Sequence, residues 1–210
     1  MDEYYKITEQ YLNALQSSKD EREIHAFLKS RPYLVRNAFN AWAWNHVEVF
    51  PEYQLNNEYR IDFLILSADS GQWHVSIVEL KSPFLKPFTK GGLYSKYLNE
   101  GIKQLEERIK WLHLNQNRFR QQLSKHFRKN NSIAHCSNAD DHIYASTEIL
   151  DPRTCISFQY FIVIGRRNMI SHELQSRRHL AASEKIEIAT YDRMIDIAEG
   201  LDKTESGKYL

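Results

Sequence analysis

Residues 59–81 read YRIDFLILSADSGQWHVSIVELK, two runs rich in β-branched and aromatic residues joined by the polar segment SADSGQ. Runs of this kind, bounded by Asp, Ser and Gly, predict the two strands of an antiparallel hairpin, Tyr59 to Leu66 and Trp73 to Leu80. Three charged residues break the apolar pattern: Asp62 in the first strand, and Glu79 and Lys81 at the end of the second. A carboxylate in an apolar strand is costly unless it is paired, hydrogen-bonded or bound to a cation. With Ser70 and Gly71 as the central turn residues, Asp69 faces Gln72, and counting back along both strands brings Asp62 opposite Glu79. Side chains facing each other on one sheet surface have Cβ atoms about 4.5–5.5 Å apart. Two carboxylates at that separation repel, and a divalent cation between them removes the repulsion. Lys81 lies two residues beyond Glu79 and therefore on the same face. An ammonium there can orient an attacking water and stabilise charge developing on a phosphate. The same residues also fit a plain ion-pair lattice, with Arg60 diagonal to Glu79 and Lys81 diagonal to Asp62.

Outward from the hairpin, Val47 to Leu55 reads as a further strand, with Pro51 placing it at a sheet edge or in a bulge. Upstream, Tyr5, Ile7, Tyr11, Leu12 and Leu15 have helical spacing. Asp20 is placed to cap a second helix through Ile24, Phe27 and Leu28 that stops at Pro32. Downstream, SPFLKPFTKGG at 82–92 is a loop, with Gly91-Gly92 a hinge before the next helix. Leu98, Ile102, Leu105, Ile109 and Leu112 then mark one face of a long amphipathic helix. A polar stretch from Lys129 to Asp141 leads to a strand, Ile156 to Ile164, ending at Gly165. A helix over His172 to Ala182, a strand over Ile186 to Ala189 and a helix over Asp192 to Leu201 follow. A helix between the third and fourth strands permits a right-handed parallel crossover, so the expected class is an α/β fold with a mixed central sheet. One domain spans 1–210: a helical preface to 46, a helix, three-strand meander, helix, strand core over 47–165, and a helix-strand-helix extension from 166.

The net charge of +1 hides an uneven distribution. Residues 59–139 carry 13 Lys/Arg against 6 Asp/Glu, whereas each flank has three more acids than bases. From Arg108 to Ala139 there is no acid, and Trp111, Phe119 and Phe127 are interleaved with the cations. A one-signed field attracts phosphate backbones, although a solvated helix face carries similar runs. The polar beginning MDEYYKITEQ is no secretory signal, and the apolar run at Phe158 to Gly165 is too short to span a bilayer. With only Cys136 and Cys155, a disulfide framework is excluded and a cytoplasmic location is expected. His135, Cys136 and His142 fit no zinc-ligand spacing, and Trp42 and Trp44 read as packing residues. Arg177-Arg178 reads as helix surface, and no sequence resembles a nucleophile elbow.

An acid on one strand and E-x-K on its hairpin partner, in a helix, meander, helix, strand order, resembles the PD-(D/E)XK nuclease superfamily. The segments RIDFLIL and VSIVELKSP, with HAFLKSRPYLV, GIKQLEERIKWL, FIVIGRR and IEIATYDRMID, are similar to the nuclease domain of the Shedu anti-phage defence family. The resemblance covers nearly the whole chain. It implies a restriction-endonuclease-like core, with Asp62 and Glu79 as metal ligands, Lys81 as the catalytic lysine, and Gln104 as the glutamine on the following helix. An acid from an early helix completes many such sites, and Glu23 is the candidate here, in competition with Glu21 and Glu48. Oxygen ligands favour Mg²⁺ or Mn²⁺. The implied partner is DNA, held without sequence reading by Arg108, Lys110, Arg118, Arg120, Lys125, Arg166 and Arg167. A homo-oligomer follows from the resemblance as well. Many members carry an N-terminal sensing region, so a regulatory partner is a further expectation. A restriction or repair nuclease with this core, and a non-catalytic nucleic-acid-binding module, are the competing functions.

Overall fold

The computed structural model describes residues 6–39, 46–69, 72–129, 148–175 and 186–203. Among these residues seven α-helices and five strands follow in the order α1 (Ile7–Ser17), α2 (Glu21–Ser30), α3 (Pro32–Phe39), β1 (His46–Gln54), β2 (Arg60–Asp69), β3 (Gln72–Leu80), α4 (Lys96–Leu114), α5 (Gln116–Lys129), β4 (Cys155–Val163), α6 (His172–Gln175), β5 (Ile186–Ala189) and α7 (Asp192–Lys203). A 3-10 turn occupies Arg167–Met169. The sheet order is β1-β2-β3-β4-β5, with β1, β2 and β3 antiparallel in succession. Beside β3, His74 Nδ1 meets Ser157 Oγ at 2.6 Å, Ser76 Oγ donates to Gln159 at 3.5 Å, and the Lys81 N–H donates to the Val163 carbonyl at 2.8 Å. Partners that rise together along two strands run parallel, so the sheet is mixed, as the helix between β3 and β4 predicts.

The chain divides into two compact units, one of Met1–Phe39, Glu79–Ile102 and Phe161–Leu210, the other of Asn40–Val78 and Lys103–Tyr160. In the second unit β1 forms the sheet edge, where Pro51 can lack its ladder donor at no cost. The hairpin pairs from Asp69↔Gln72 to Phe63↔Val78, the register expected from the sequence; Ser70 and Gly71 lie outside the described residues. Ile61, Phe63, Leu64, Ile65 and Leu66 are all at most 1% exposed. A strand covered on both faces needs no polar alternation, which is why YRIDFLIL reads as a continuous apolar run.

Two helices depart from the sequence expectation. The charge-rich region after Leu114 forms α5, separate from α4: Asn115 closes α4, its Nδ2 donating to the Trp111 carbonyl at 2.8 Å, and its own carbonyl accepts the Phe119 N–H at 3.0 Å. Phe119 and Leu123, one turn apart and fully buried, anchor α5. A two-residue stripe among so many cations is a weak periodic signal, hence its absence from the sequence reading. In the first unit, α2 begins at Asp20 as expected, its carboxylate accepting from the Arg22 and Glu23 N–H groups at 2.9 and 3.3 Å. It ends before Pro32, but Pro32 then opens α3 instead of leading directly to a strand. Proline's fixed φ suits a first helical turn as well as it terminates the helix before it.

The first unit is held by its chain ends. The Asp202 carboxylate of α7 accepts from the Ile7 and Thr8 N–H groups at 2.9 and 3.0 Å, neutralising donors that α1 cannot satisfy itself. Tyr11, fully buried, donates to the Tyr191 carbonyl at 3.3 Å, and burial raises its phenol pKa above the ordinary tyrosine value. Of the helix expected from His172 to Ala182, α6 accounts for His172–Gln175. Its remainder lies outside the described residues, as do Arg177-Arg178, Trp42, Trp44, His135, Cys136 and His142. No helix among the described residues is long and apolar enough to cross a membrane.

Candidate active site

Asp62 sits in β2 between Ile61 and Phe63, half-buried beside two side chains that are wholly inside. Across the β1–β2 ladder the pairs Pro51↔Phe63 and Tyr53↔Ile61 keep one register, and the residue skipped between them is Glu52. Glu52 has φ +53°, and among the described residues it is the one non-glycine residue with positive φ. A left-handed conformation costs of order 1–3 kcal/mol in a non-glycine residue, and such outliers cluster where function over-determines the backbone. The strained position is thus the one across the edge strand from Asp62. The Arg60 guanidinium lies 3.5 Å from the Glu52 carboxylate.

In the other unit Glu79 is 4% exposed near the end of β3. The Lys81 ammonium stands 3.3 Å from Glu79 Oε1. Residues two apart on a strand share a face, so this pairing follows directly from the E-x-K spacing. Past the end of β3 the Lys81 backbone stays anchored: its N–H donates to Val163 and its carbonyl accepts the Tyr191 hydroxyl at 2.7 Å. The α4 surface beside it has no side chain at Gly101, where an added Cβ would stand 3.1 Å from Lys81 Cε. Gly101 and Tyr191 escaped sequence reasoning. A glycine inside the apolar stripe of Leu98, Ile102 and Leu105 was the available signal, since it costs helix stability without a turn to justify it.

Gln104 lies on exposed α4 surface one turn beyond Gly101, and its carbonyl accepts from Arg108 at 2.7 Å. Glu23 is exposed at the start of α2, where its carboxylate accepts the Lys19 N–H at 3.0 Å while its own N–H bonds Asp20. That reciprocal arrangement is a helix-capping function. Glu48 lies 3.5 Å from His126 Nε2. Among the described residues no three His, Cys, Asp or Glu side chains gather as a metal cluster. A cavity of about 260 Å³ lined by Lys90, Gly91, Gly92, Ser171, Glu173 and Leu174 contains none of the expected site residues.

The basic residues divide into exposed and committed ones. Lys110, Arg118 and Lys125 are exposed, and the Arg118 guanidinium lies 6.0 Å from the centre of the Trp111 ring. Arg108, half-buried, spends its Nε on the Arg60 carbonyl at 2.9 Å. Arg120 is only 8% exposed, and its fork donates to the carbonyls of Ile149, Asp151 and Thr154 at 2.9, 3.2 and 2.7 Å. This removes Arg120 from the surface on which a phosphate backbone can lie. Sequence gave no means of separating it from its neighbours, because burial of a single arginine leaves no periodic trace.

Arg166 donates to both Asp192 oxygens at 3.1 Å, the Arg167 N–H adds a third bond at 2.6 Å, and the Arg167 guanidinium reaches Asp196. Burial alone would raise the Asp192 pKa, but the Arg166 bond, the Arg167 N–H and their positive charges outweigh it and hold it below the ordinary value. A carboxyl lowered in the folded state stabilises above its unfolded pKa of about 3.9 and loses that contribution as pH falls through the folded value. Asp192→Asn is therefore expected to lower stability at pH 7 and to lower it less at about pH 3. Urea midpoints at both pH values check this, and an equal deficit at each would refute it.

A family model described as Shedu protein SduA, C-terminal, matches residues 18–195. No curated protein matches the chain.

Proposed function

The chain belongs to the Shedu family through its SduA C-terminal region, and we propose that it is a metal-dependent endodeoxyribonuclease acting in anti-phage defence. The observation that carries this reading is the Lys81–Glu79 pair, an ammonium 3.3 Å from a carboxylate that is almost wholly buried at a strand end. The PD-(D/E)XK reading of Asp62, Glu79 and Lys81 is supported further by the hairpin register, which runs to Phe63↔Val78, one step short of the acidic residues.

The donor set fits the proposed metal. Mg²⁺ and Mn²⁺ take oxygen ligands, and Mg²⁺ in particular is held by one or two carboxylates, with waters and substrate phosphate supplying the rest. Two aspartate or glutamate side chains suffice for that, whereas a closed zinc cage needs four ligands. Asp62 and Glu79 are the proposed ligands, and the bound ion supplies neutralisation of phosphate charge and polarisation of the attacking water. Lys81 places a fixed positive charge beside Glu79, where it can orient the water and stabilise charge growing on the phosphate. Gln104, on the exposed face of α4, is a proposed contact to that water or phosphate. Lys110, Arg118 and Lys125 supply exposed positive charge for the DNA backbone, binding it without reading bases.

Incubation of supercoiled plasmid with the protein tests this reading. Nicked or linear product with Mg²⁺ or Mn²⁺, and none with EDTA, is the expected result. DNA retained on the protein under conditions that give no metal-dependent cleavage would replace the enzyme with a binding module.

A further inference from the structure

Lys81 is constrained at more points than an ion pair requires. Its side chain is 19% exposed, so most of its four-carbon stem is covered. Part of that cover is α4 at Gly101, where a Cβ would lie 3.1 Å from Lys81 Cε, 3.5 Å from Cγ and 3.6 Å from Ile162 Cγ2. Gly101 is buried within the helix and is not among the residues of positive φ, so its backbone conformation is open to any L-residue. Glycine in a helix interior is less stable than alanine, because it loses more backbone freedom on folding. The missing side chain therefore has a use at this position, and the close approach of the lysine stem is that use. Gly200 in α7 is the contrast, since a Cβ there would meet nothing within 4 Å.

Tyr191 fixes the backbone of the same residue. It is wholly buried, its carbonyl accepts the Tyr11 hydroxyl at 3.3 Å, and its own hydroxyl donates to the Lys81 carbonyl at 2.7 Å. The Tyr191 backbone is thus tied to α1 while its hydroxyl holds the end of the strand that carries Glu79.

We propose that Gly101 and Tyr191 are positioning residues for Lys81, the glycine by giving its stem a groove in α4 and the tyrosine by pinning its carbonyl, so that the ammonium stays against Glu79. The inference rests on Lys81 being the catalytic lysine. A free lysine side chain has many rotamers, and an electrostatic catalyst works best when that freedom is removed before substrate arrives. Neither positioning residue touches the reacting atoms.

Five proteins test it: wild type, Gly101→Ala, Tyr191→Phe, Gly200→Ala and Lys81→Arg. Each is assayed for DNA cleavage with Mg²⁺ and by NMR after ¹³C-methylation of lysines, the Lys81 resonance being the one missing from Lys81→Arg. Gly101→Ala is expected to melt near the wild-type temperature, to lower kcat by up to about 10-fold, because the lysine stem must give by a few tenths of an ångström where a full displacement of about 1 Å costs about 100-fold, and to leave KM nearly unchanged. Its Lys81 resonance moves. Tyr191→Phe shifts the same resonance and lowers kcat by a smaller factor, and Gly200→Ala changes neither. Wild-type kcat and an unmoved Lys81 resonance in Gly101→Ala and Tyr191→Phe would overturn the proposal, and should Gly101→Ala fail to fold, Tyr191→Phe decides alone. If Lys81→Arg cleaves as fast as wild type the nuclease reading of Lys81 fails, while the resonance still reports whether these two residues place its side chain.

Discussion

Glu79→Gln and Lys81→Met are each expected to reduce Mg²⁺-dependent DNA cleavage about 10²- to 10³-fold, the range seen when one preorganised charge-stabilising group is removed. Glutamine keeps the shape of the glutamate and removes its charge, so a cation loses a ligand without a cavity being made. Methionine keeps an apolar stem of similar length in the groove at Gly101, so the loss is confined to the ammonium. The two groups lie 3.3 Å apart with little exposure, 5% and 19% for their side chains, so stability must be measured beside activity. Removing one member of a covered ion pair leaves the other charge stranded, while removing both relieves that penalty. In an arrangement that serves packing alone, the double variant Glu79→Gln/Lys81→Met regains stability and no single variant changes cleavage. In the proposed enzyme the double variant regains stability and stays inactive. Cleavage rates and thermal melts of the four proteins separate the two, and a fast-cutting Lys81→Met would remove lysine from the mechanism.

What the sequence disclosed and what it hid follow from the range of each interaction. The hairpin was legible because strand register is local: the pairing Asp69↔Gln72 propagates to Phe63↔Val78 without help from the rest of the chain. The Asp20 cap and the seven-residue spacing of Leu98, Leu105 and Leu112, all fully buried, were legible for the same reason. Features that depend on partners far along the chain were not. Tyr191 and Lys81 are 110 residues apart, and no periodicity signals a phenol that ends on a distant carbonyl. Gly101 was visible only as an oddity in a helix pattern, with its reason supplied by a lysine from another element. The Glu23 carboxylate accepts the Lys19 N–H, and the Asp-x-x-Glu spacing that places it there is itself a local helix-start signal.

The run of basic residues is where this limit has the largest energetic consequence. Arg118, Arg120 and Lys125 lie within one helix and carry the same formal charge, yet they answer to different physics. Arg120→Leu is expected to lower folding stability by about 3 kcal/mol, because hydrogen bonds from a charged group contribute about 1.5–3 kcal/mol and three carbonyls lose their donor together. The carbonyls belong to the turn of residues 149–154 that leads into β4, so the loss falls on the strand's entry as well as on α5. A lowered urea midpoint with an unchanged m-value is the expected signature. Arg118→Ala and Lys125→Ala, from exposed positions, are expected to leave the midpoint near wild type. Each should instead weaken DNA binding at low salt and reduce the slope of log K against log salt concentration by about one. Binding isotherms at several salt concentrations, paired with urea melts, therefore sort the residues by role. If Arg120→Leu kept wild-type stability and lost a unit of salt slope, its guanidinium would face phosphate in solution, and the three-carbonyl clamp would be discarded.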